Sequence, residues 1–312
     1  MAFSPSRSAA LLTGIPEGVL AVVLFSLTVP TMRIAVRELD PVIVGIGRMA
    51  LAAIPAALVL AAVGSPRLTM RQIGSLLAAT ACLAFGFSWF SARALREVSS
   101  SHAAIVIGVI PLVNALWASL RSGQRQTGLF WTAALAGSAI VTGYGLGRSG
   151  AGLHLGRADL LLLLAALTCG IGYAEGTRLG REIGTTALTC WVPIAAFLPG
   201  VALCLGRLPE HPGAVSTACW LALLYNVLFS SLIGMLFWYR ALAKGGIARI
   251  GQIQLAQPFV TLVFSIFLLG ERPLSGDWLA AGGVVACIAV AQIGARRTAA
   301  GVSLPGEAVV PA

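Results

Sequence analysis

Phe90, Arg93, the pair Ala94-Leu95, Pro111, Gly123 and Trp131 each recur 147 residues later, as Phe237, Arg240, Ala241-Leu242, Pro258, Gly270 and Trp278. One register held over so many positions makes the chain a duplication. Both copies lie in long apolar runs, so the fold is restricted to two like hydrophobic halves. Prolines at matched positions inside those runs place helix breaks, and any site they form, at the interface between the halves.

With 312 residues, 58% of them hydrophobic and 10% charged, the chain has too much apolar surface for one water-soluble core. A membrane-spanning helix takes about 20 mainly apolar residues. Such runs fall near 16–36, 42–63, 72–94, 101–120, 127–147, 158–178, 186–206, 217–241, 248–269 and 276–295. They are continuous and rich in Leu, Ala and Gly, without the alternation of apolar and polar residues that a β-barrel needs. The expected fold is therefore an all-α polytopic membrane protein with ten transmembrane helices. Five per copy is an odd number, so the second copy enters the membrane in the opposite sense, as an inverted 5+5 repeat. The expected organisation is a cytoplasmic N-terminal segment at 1–15, a first five-helix repeat at 16–147, a connecting loop at 148–157, a second repeat at 158–297 and a disordered cytoplasmic tail at 298–312.

The net charge of +10 is spread over short loops rather than gathered on one face, which argues against a nucleic-acid partner. Basic residues near helix ends are topology signals first, and their bias favours both termini in the cytoplasm. Nearly all of them are Arg, a coding bias that suggests a bacterial genome and hence the inner membrane. The apolar run after residue 15 is long enough to span and is expected to be retained. All six cysteines lie within apolar runs without CxxC spacing and read as packing residues. GxxxG steps at Gly172, Gly176 and Gly180 read as close helix packing inside the bundle, with a dimer face as the alternative; ten spans can work as a monomer.

An Ala-Leu pair after an aromatic span, a polar turn of small residues, Pro in the next span, then Gly270-Glu271-Arg272 leading into Gly282-Gly283 form a further pattern. In this the chain resembles the drug/metabolite transporter superfamily, specifically its EamA-type ten-helix exporters of amino acids and related metabolites. The resemblance covers residues 15 to 295 approximately. Arg48 matches an Arg that this family often carries in its second span, and Gly270-Glu271 matches the motif closing the ninth. The first half departs from that motif, with Gln124 where Glu would follow Gly123. The resemblance implies an inverted five-plus-five bundle around a central cavity.

Polar side chains inside hydrocarbon must find partners or line water, so they are the candidate site residues. Pro30, Pro111 and Pro258 remove backbone donors near mid-depth and free carbonyls that can face a cavity, the alternative being packing kinks. Asn114 and Trp117 lie one and two turns beyond Pro111, on its face. Gln254 sits one turn before Pro258, with Gln252 and Gln257 also beside the break. This amide set suits the ammonium and carboxylate of an amino acid; helix-to-helix hydrogen bonding is its rival. Among the aromatics, Tyr173 and Trp117 are the deep candidates for stacking on a substrate side chain, with Trp89 and Trp238 as candidates nearer the boundaries, where anchoring is the common role. Glu175 and Arg48 are the candidate charges, for proton coupling or for a substrate's own charges, against structural ion pairing.

Nothing supports enzymatic chemistry: there is no HExxH, Walker-type loop or Gly-x-Ser-x-Gly elbow, and no metal site or cofactor is expected. The expected function is export of small amphipathic metabolites, hydrophobic or aromatic amino acids first, by alternating access. A nucleotide-sugar or other metabolite carrier of the same fold is the alternative, although its charged cargo would call for several basic residues within the spans. A membrane-embedded transferase is the remaining one.

Overall fold

The computed structural model describes residues 14–301, except 65, 123–127, 149–155, 246–249 and 251–252. The segment 1–13, most of the expected connecting loop, Gly123, Gln124 and Gln252, and the tail beyond 301 lie outside the described residues. Every described element is helical. Seven helices have the length and hydropathy to cross a membrane: α1 (Ile15–Ala35), α2 (Ile43–Val63), α3 (Met70–Ala94), α4 (Ser100–Arg121), α6 (Arg157–Ile183), α7 (Thr185–Cys204) and α8 (Thr217–Lys244). Three further helices, α5 (Gly128–Arg148), α9 (Gln254–Leu269) and α10 (Ser275–Gly301), have shorter apolar stretches, 128–141, 254–269 and 275–291. α10 runs past the expected boundary at 297, so residues 298–301 are helical. Large apolar side chains such as Leu58, Leu135, Leu198 and Phe267 point outward, a surface suited to lipid rather than water.

The helix ends follow local chemistry. Pro16 sits in the first turn of α1, where its missing N–H costs nothing. Thr69 and Gln72 form a reciprocal capping box at the start of α3. α6 and α7 are joined through Gly184 alone, at φ 90°, a conformation that glycine adopts without steric penalty. Gly270, at φ 64°, ends α9 in a left-handed cap and lets the next residue turn back toward the bundle.

Two helix N-termini are capped by carboxylates from elsewhere in the chain, which favours anions there through the unpaired N–H groups and the helix dipole. Glu271 accepts from Ser100 N (2.8 Å) and Oγ (3.0 Å) and from Ser101 N (2.9 Å) and Oγ (2.6 Å) at the start of α4. Glu38, in the α1–α2 loop, accepts from Ser216 N (2.7 Å) and Oγ (2.6 Å) at the start of α8. The Ser216 donors hold the Glu38 carboxyl below its ordinary pKa. A carboxylate depressed on folding stabilises above its unfolded pKa, about 4.3, and loses that contribution as pH falls through the folded value. The Glu38→Gln variant is therefore expected to show a shallower loss of thermal midpoint below about pH 4.5; identical acid profiles for variant and wild type would remove Glu38 from the acid response.

α6 packs through its glycines. A Cβ at Gly170 would meet Val113 of α4 at 2.6 Å, one at Gly172 would meet Leu83 of α3 at 2.6 Å, and one at Gly180 would meet Leu188 of α7 at 3.1 Å. At Gly176 the tyrosine Oη of α8's Tyr239 occupies the space a side chain would need. The small-residue ladder thus serves four internal contacts. α5 lies against α10, where Gly283 faces Ile140 and Gly137 faces Cys287.

Three helices widen into π-helical turns, at Ile43–Gly47 in α2, Ala81–Phe87 in α3 and Asn226–Gly234 in α8. Shifted by the 147-residue repeat, the α3 segment falls at 228–234, within that of α8. α4 is interrupted at Gly108-Val109, and α9 opens with a 3-10 turn at Gln254–Ala256, again at the repeat spacing.

Candidate functional site

The widened turns converge on one side chain. Arg48, the residue following the π turn of α2, is 3% exposed. Its Nη1 donates to Ser230 Oγ and Ser231 Oγ of α8, both at 3.2 Å, and its Nη2 donates to Ser88 Oγ of α3 at 3.0 Å. Ser88 and Ser231 pass their own hydroxyl protons to the carbonyls five residues earlier, Leu83 O (2.9 Å) and Asn226 O (2.8 Å), so their lone pairs remain for the guanidinium. Thr28 of α1 donates to Ser230 Oγ at 2.9 Å. The Phe87 ring centroid is 6.0 Å from the guanidinium carbon, within range of a cation–π contact. Arg48 Nε has no partner among the described residues, and no carboxylate among them pairs with this charge. A buried cation satisfied by hydroxyls alone is hydrogen-bonded but not neutralised.

Arg48 lines a cavity that opens toward solvent, with an empty volume of about 740 Å³ counting its open mouth. Residues from α1 to α4 and from α6 to α9 form its wall. Among the described residues, none of α5 or α10 lines it. The wall is largely apolar, with a few converging polar groups, the usual make-up of a small-molecule site. Those groups are Arg48, Thr28, Ser230 and Ser231, the amides of Gln254 and Gln257, and the phenols of Tyr173 and Tyr239. Tyr239 Oη has no partner among the described residues. A second, smaller space of about 340 Å³ shares Gln254 and Gln257 with the first and is bounded by Pro111 and Pro258. A Cβ at Gly108 would lie 3.2 Å from Pro258 Cγ, so α4 and α9 cross where both are interrupted.

Arg48, Tyr173, Gln254 and Gln257 are thus brought to one cavity, and Pro111 and Pro258 to its annex. Pro30 is buried in α1 but lines neither space. Trp238 is buried behind the wall, packed on Phe25 and Tyr173 at centroid distances of 6.2 and 6.3 Å. Trp89 is 37% exposed, against Phe90. Asn114 lies where α4 passes Gly170 of α6, outside the cavity. Trp117 also turns to α6, and its Nε1 donates to Glu175 Oε1 at 3.0 Å. Glu175 is buried off the cavity and pairs with Arg121 Nε at 3.0 Å, with Arg178 Nη1 at 3.9 Å from its other oxygen. The shared face with Pro111 therefore does not carry Asn114 and Trp117 into the cavity: within the unbroken helix Ile110–Ser122 each three-residue step falls about 60° short of a full turn, and α6 covers the side they reach.

Glu175→Gln keeps an acceptor for Trp117, and Arg121 is half-exposed, so a stability loss of only about 1–2 kcal/mol is expected. Any dependence of transport on a pH gradient is expected to survive. Loss of that dependence in the folded variant would instead make Glu175 a coupling residue.

A family model described as the EamA-like transporter family matches residues 12–144 and again residues 156–292. The uncharacterized transporter YdeK of Bacillus subtilis (strain 168) is 35% identical over 279 residues, covering 88% of this chain and 96% of its own length. A solved structure known only as "Crystal structure of protein" superposes with a TM-score of 0.63 at 19% identity, over 94% of this chain and 99% of that one, a likeness of fold.

Proposed function

The chain belongs to the EamA-like transporter family, and from that premise we propose that it exports small amphipathic metabolites, hydrophobic or aromatic amino acids first among them, across the bacterial inner membrane. The observation that carries this reading is the Arg48 cavity, a largely apolar space with a few converging polar groups, walled by four helices from each side of the 148–157 segment. We take residues 16–147 and 158–297, which the matched segments 12–144 and 156–292 largely cover, as inverted five-helix halves of a ten-span bundle. Alternating access then consists of one half rocking against the other around the cavity. The family match to each segment, the π turns at the repeat spacing and the crossing of α4 and α9 at their interruptions support that reading. Both termini lie in the cytoplasm, and a monomer with its lipid is the working unit.

Purified protein in liposomes should exchange labelled amino acids, with the strongest flux for aromatic and branched side chains. Absence of flux for all twenty would defeat the choice of cargo. Single cysteines introduced near residue 5 and in 149–155 should label from opposite sides of the membrane; labelling from the same side would defeat the inverted arrangement.

A further inference from the structure

We propose that this cavity holds its cargo by a carboxylate seated on the guanidinium of Arg48, with no ionic site for an ammonium group, an inference that rests on the carrier reading of the same space. A guanidinium has five N–H donors. Three bonds to serine hydroxyls are made here, and Nε is unpartnered among the described residues although Arg48 is 97% shielded and lines the cavity. The remaining donors, Nε–H and one on Nη2, lie along one edge of the planar guanidinium, an edge that fits a carboxylate once the side chains enclosing Nε move aside. The hydroxyls bring no negative charge, so an anion entering the cavity neutralises a cation that has no counter-ion among the described residues.

The charge count sets the class further. Arg48 is the one charged side chain among the described residues of the wall. A phosphate ester would leave excess negative charge buried, whereas a monocarboxylate leaves none. An ammonium group would meet only neutral acceptors, the oxygens of Gln254, Gln257 and the tyrosines. Phe25, Leu83 and Phe87 offer an apolar surface for the body of the cargo. The site therefore selects for the carboxylate and tolerates loss of the amine.

Titration of the detergent-purified full-length protein at pH 7 with phenylalanine, 3-phenylpropionate and phenethylamine separates these demands, with leucine, 4-methylpentanoate and 3-methylbutylamine as an aliphatic set. Acid and amino acid should bind within a few-fold of each other, and each amine about 30-fold or more weakly, the scale for a lost buried charge pair. Arg48→Gln should abolish the preference and Arg48→Lys should restore part of it. If neither variant folds, the wild-type series alone decides. Amines binding as tightly as acids would overturn the carboxylate site and leave the carrier reading standing. Arg48-dependent acid binding without flux in liposomes would support the site and defeat the carrier reading. No binding of any of the six probes at millimolar concentration would overturn the proposal.

Discussion

Glu271→Ala is expected to destabilise the bundle by about 2–4 kcal/mol, read as a fall in thermal midpoint in detergent. Four donors at the start of α4 end on its two oxygens, two of them backbone N–H groups that no residue within α4 can satisfy. Each hydrogen bond to a charged group is worth about 1.5–3 kcal/mol, and water reaching this half-buried site recovers part of the sum. The single proton of Ser100 Oγ is shared between Glu271 and Ser265 Oγ of α9, 2.7 Å away, and the carboxylate ties the α9–α10 turn to α4. Glu271→Gln, which replaces one acceptor oxygen by a donor, should lose roughly half as much. A Glu271→Ala protein as stable as wild type would show that the cap is not a stability determinant.

Gly45→Ala is expected to cost about 1–3 kcal/mol of stability, the range for overpacking, and to weaken carboxylate binding about tenfold or more. A Cβ there would stand 2.8 Å from the Ser88 carbonyl carbon and 3.1 Å from the Trp89 Cα. Both are backbone atoms, which cannot rotate aside, so α2 must part from α3. That movement draws Ser88 away from Arg48 Nη2. Gly74 of α3 has nothing within 4 Å of its Cβ position. Gly74→Ala is the control, expected to gain about 0.5–1 kcal/mol from helix propensity and to leave binding unchanged. Equal behaviour of the two variants would refute the packing argument.

Much of the architecture is legible from the chain alone. Runs of Leu, Ala and Val mark where lipid-exposed backbone must satisfy itself as helix, and the paired prolines at 111 and 258 mark a crossing that the folded chain makes. Arg48 announces itself as a charge amid apolar neighbours, and Gln254 and Gln257 as amides at mid-run. The serines that hold Arg48 do not. Ser230 and Ser231 are adjacent, and adjacent residues on an α-helix point about 100° apart, yet both reach the same Nη1. Reading faces at 3.6 residues per turn fails across a π turn, and nothing in the local composition of Asn226–Gly234 signals one. Asn114 and Trp117 are misplaced for a plainer reason: each three-residue step turns an α-helix by only about 300°, so Trp117 lies about 120° round from Pro111, on the side that α6 covers. Tyr239 is missed for a different reason: a tyrosine near the end of a span looks like a headgroup anchor, and only the absence of a side chain at Gly176 lets it turn inward.

Each widened turn beside Arg48 closes its hydrogen bonds one residue further along than an α-helix does. Returning such a turn to ordinary bonding would slide the rest of that helix by about 1.5 Å and swivel it by about 100°. α2, α3 and α8 thus carry axial slack beside the groups that grip the guanidinium. A ratchet of one residue in any of them would release that grip without unwinding a helix.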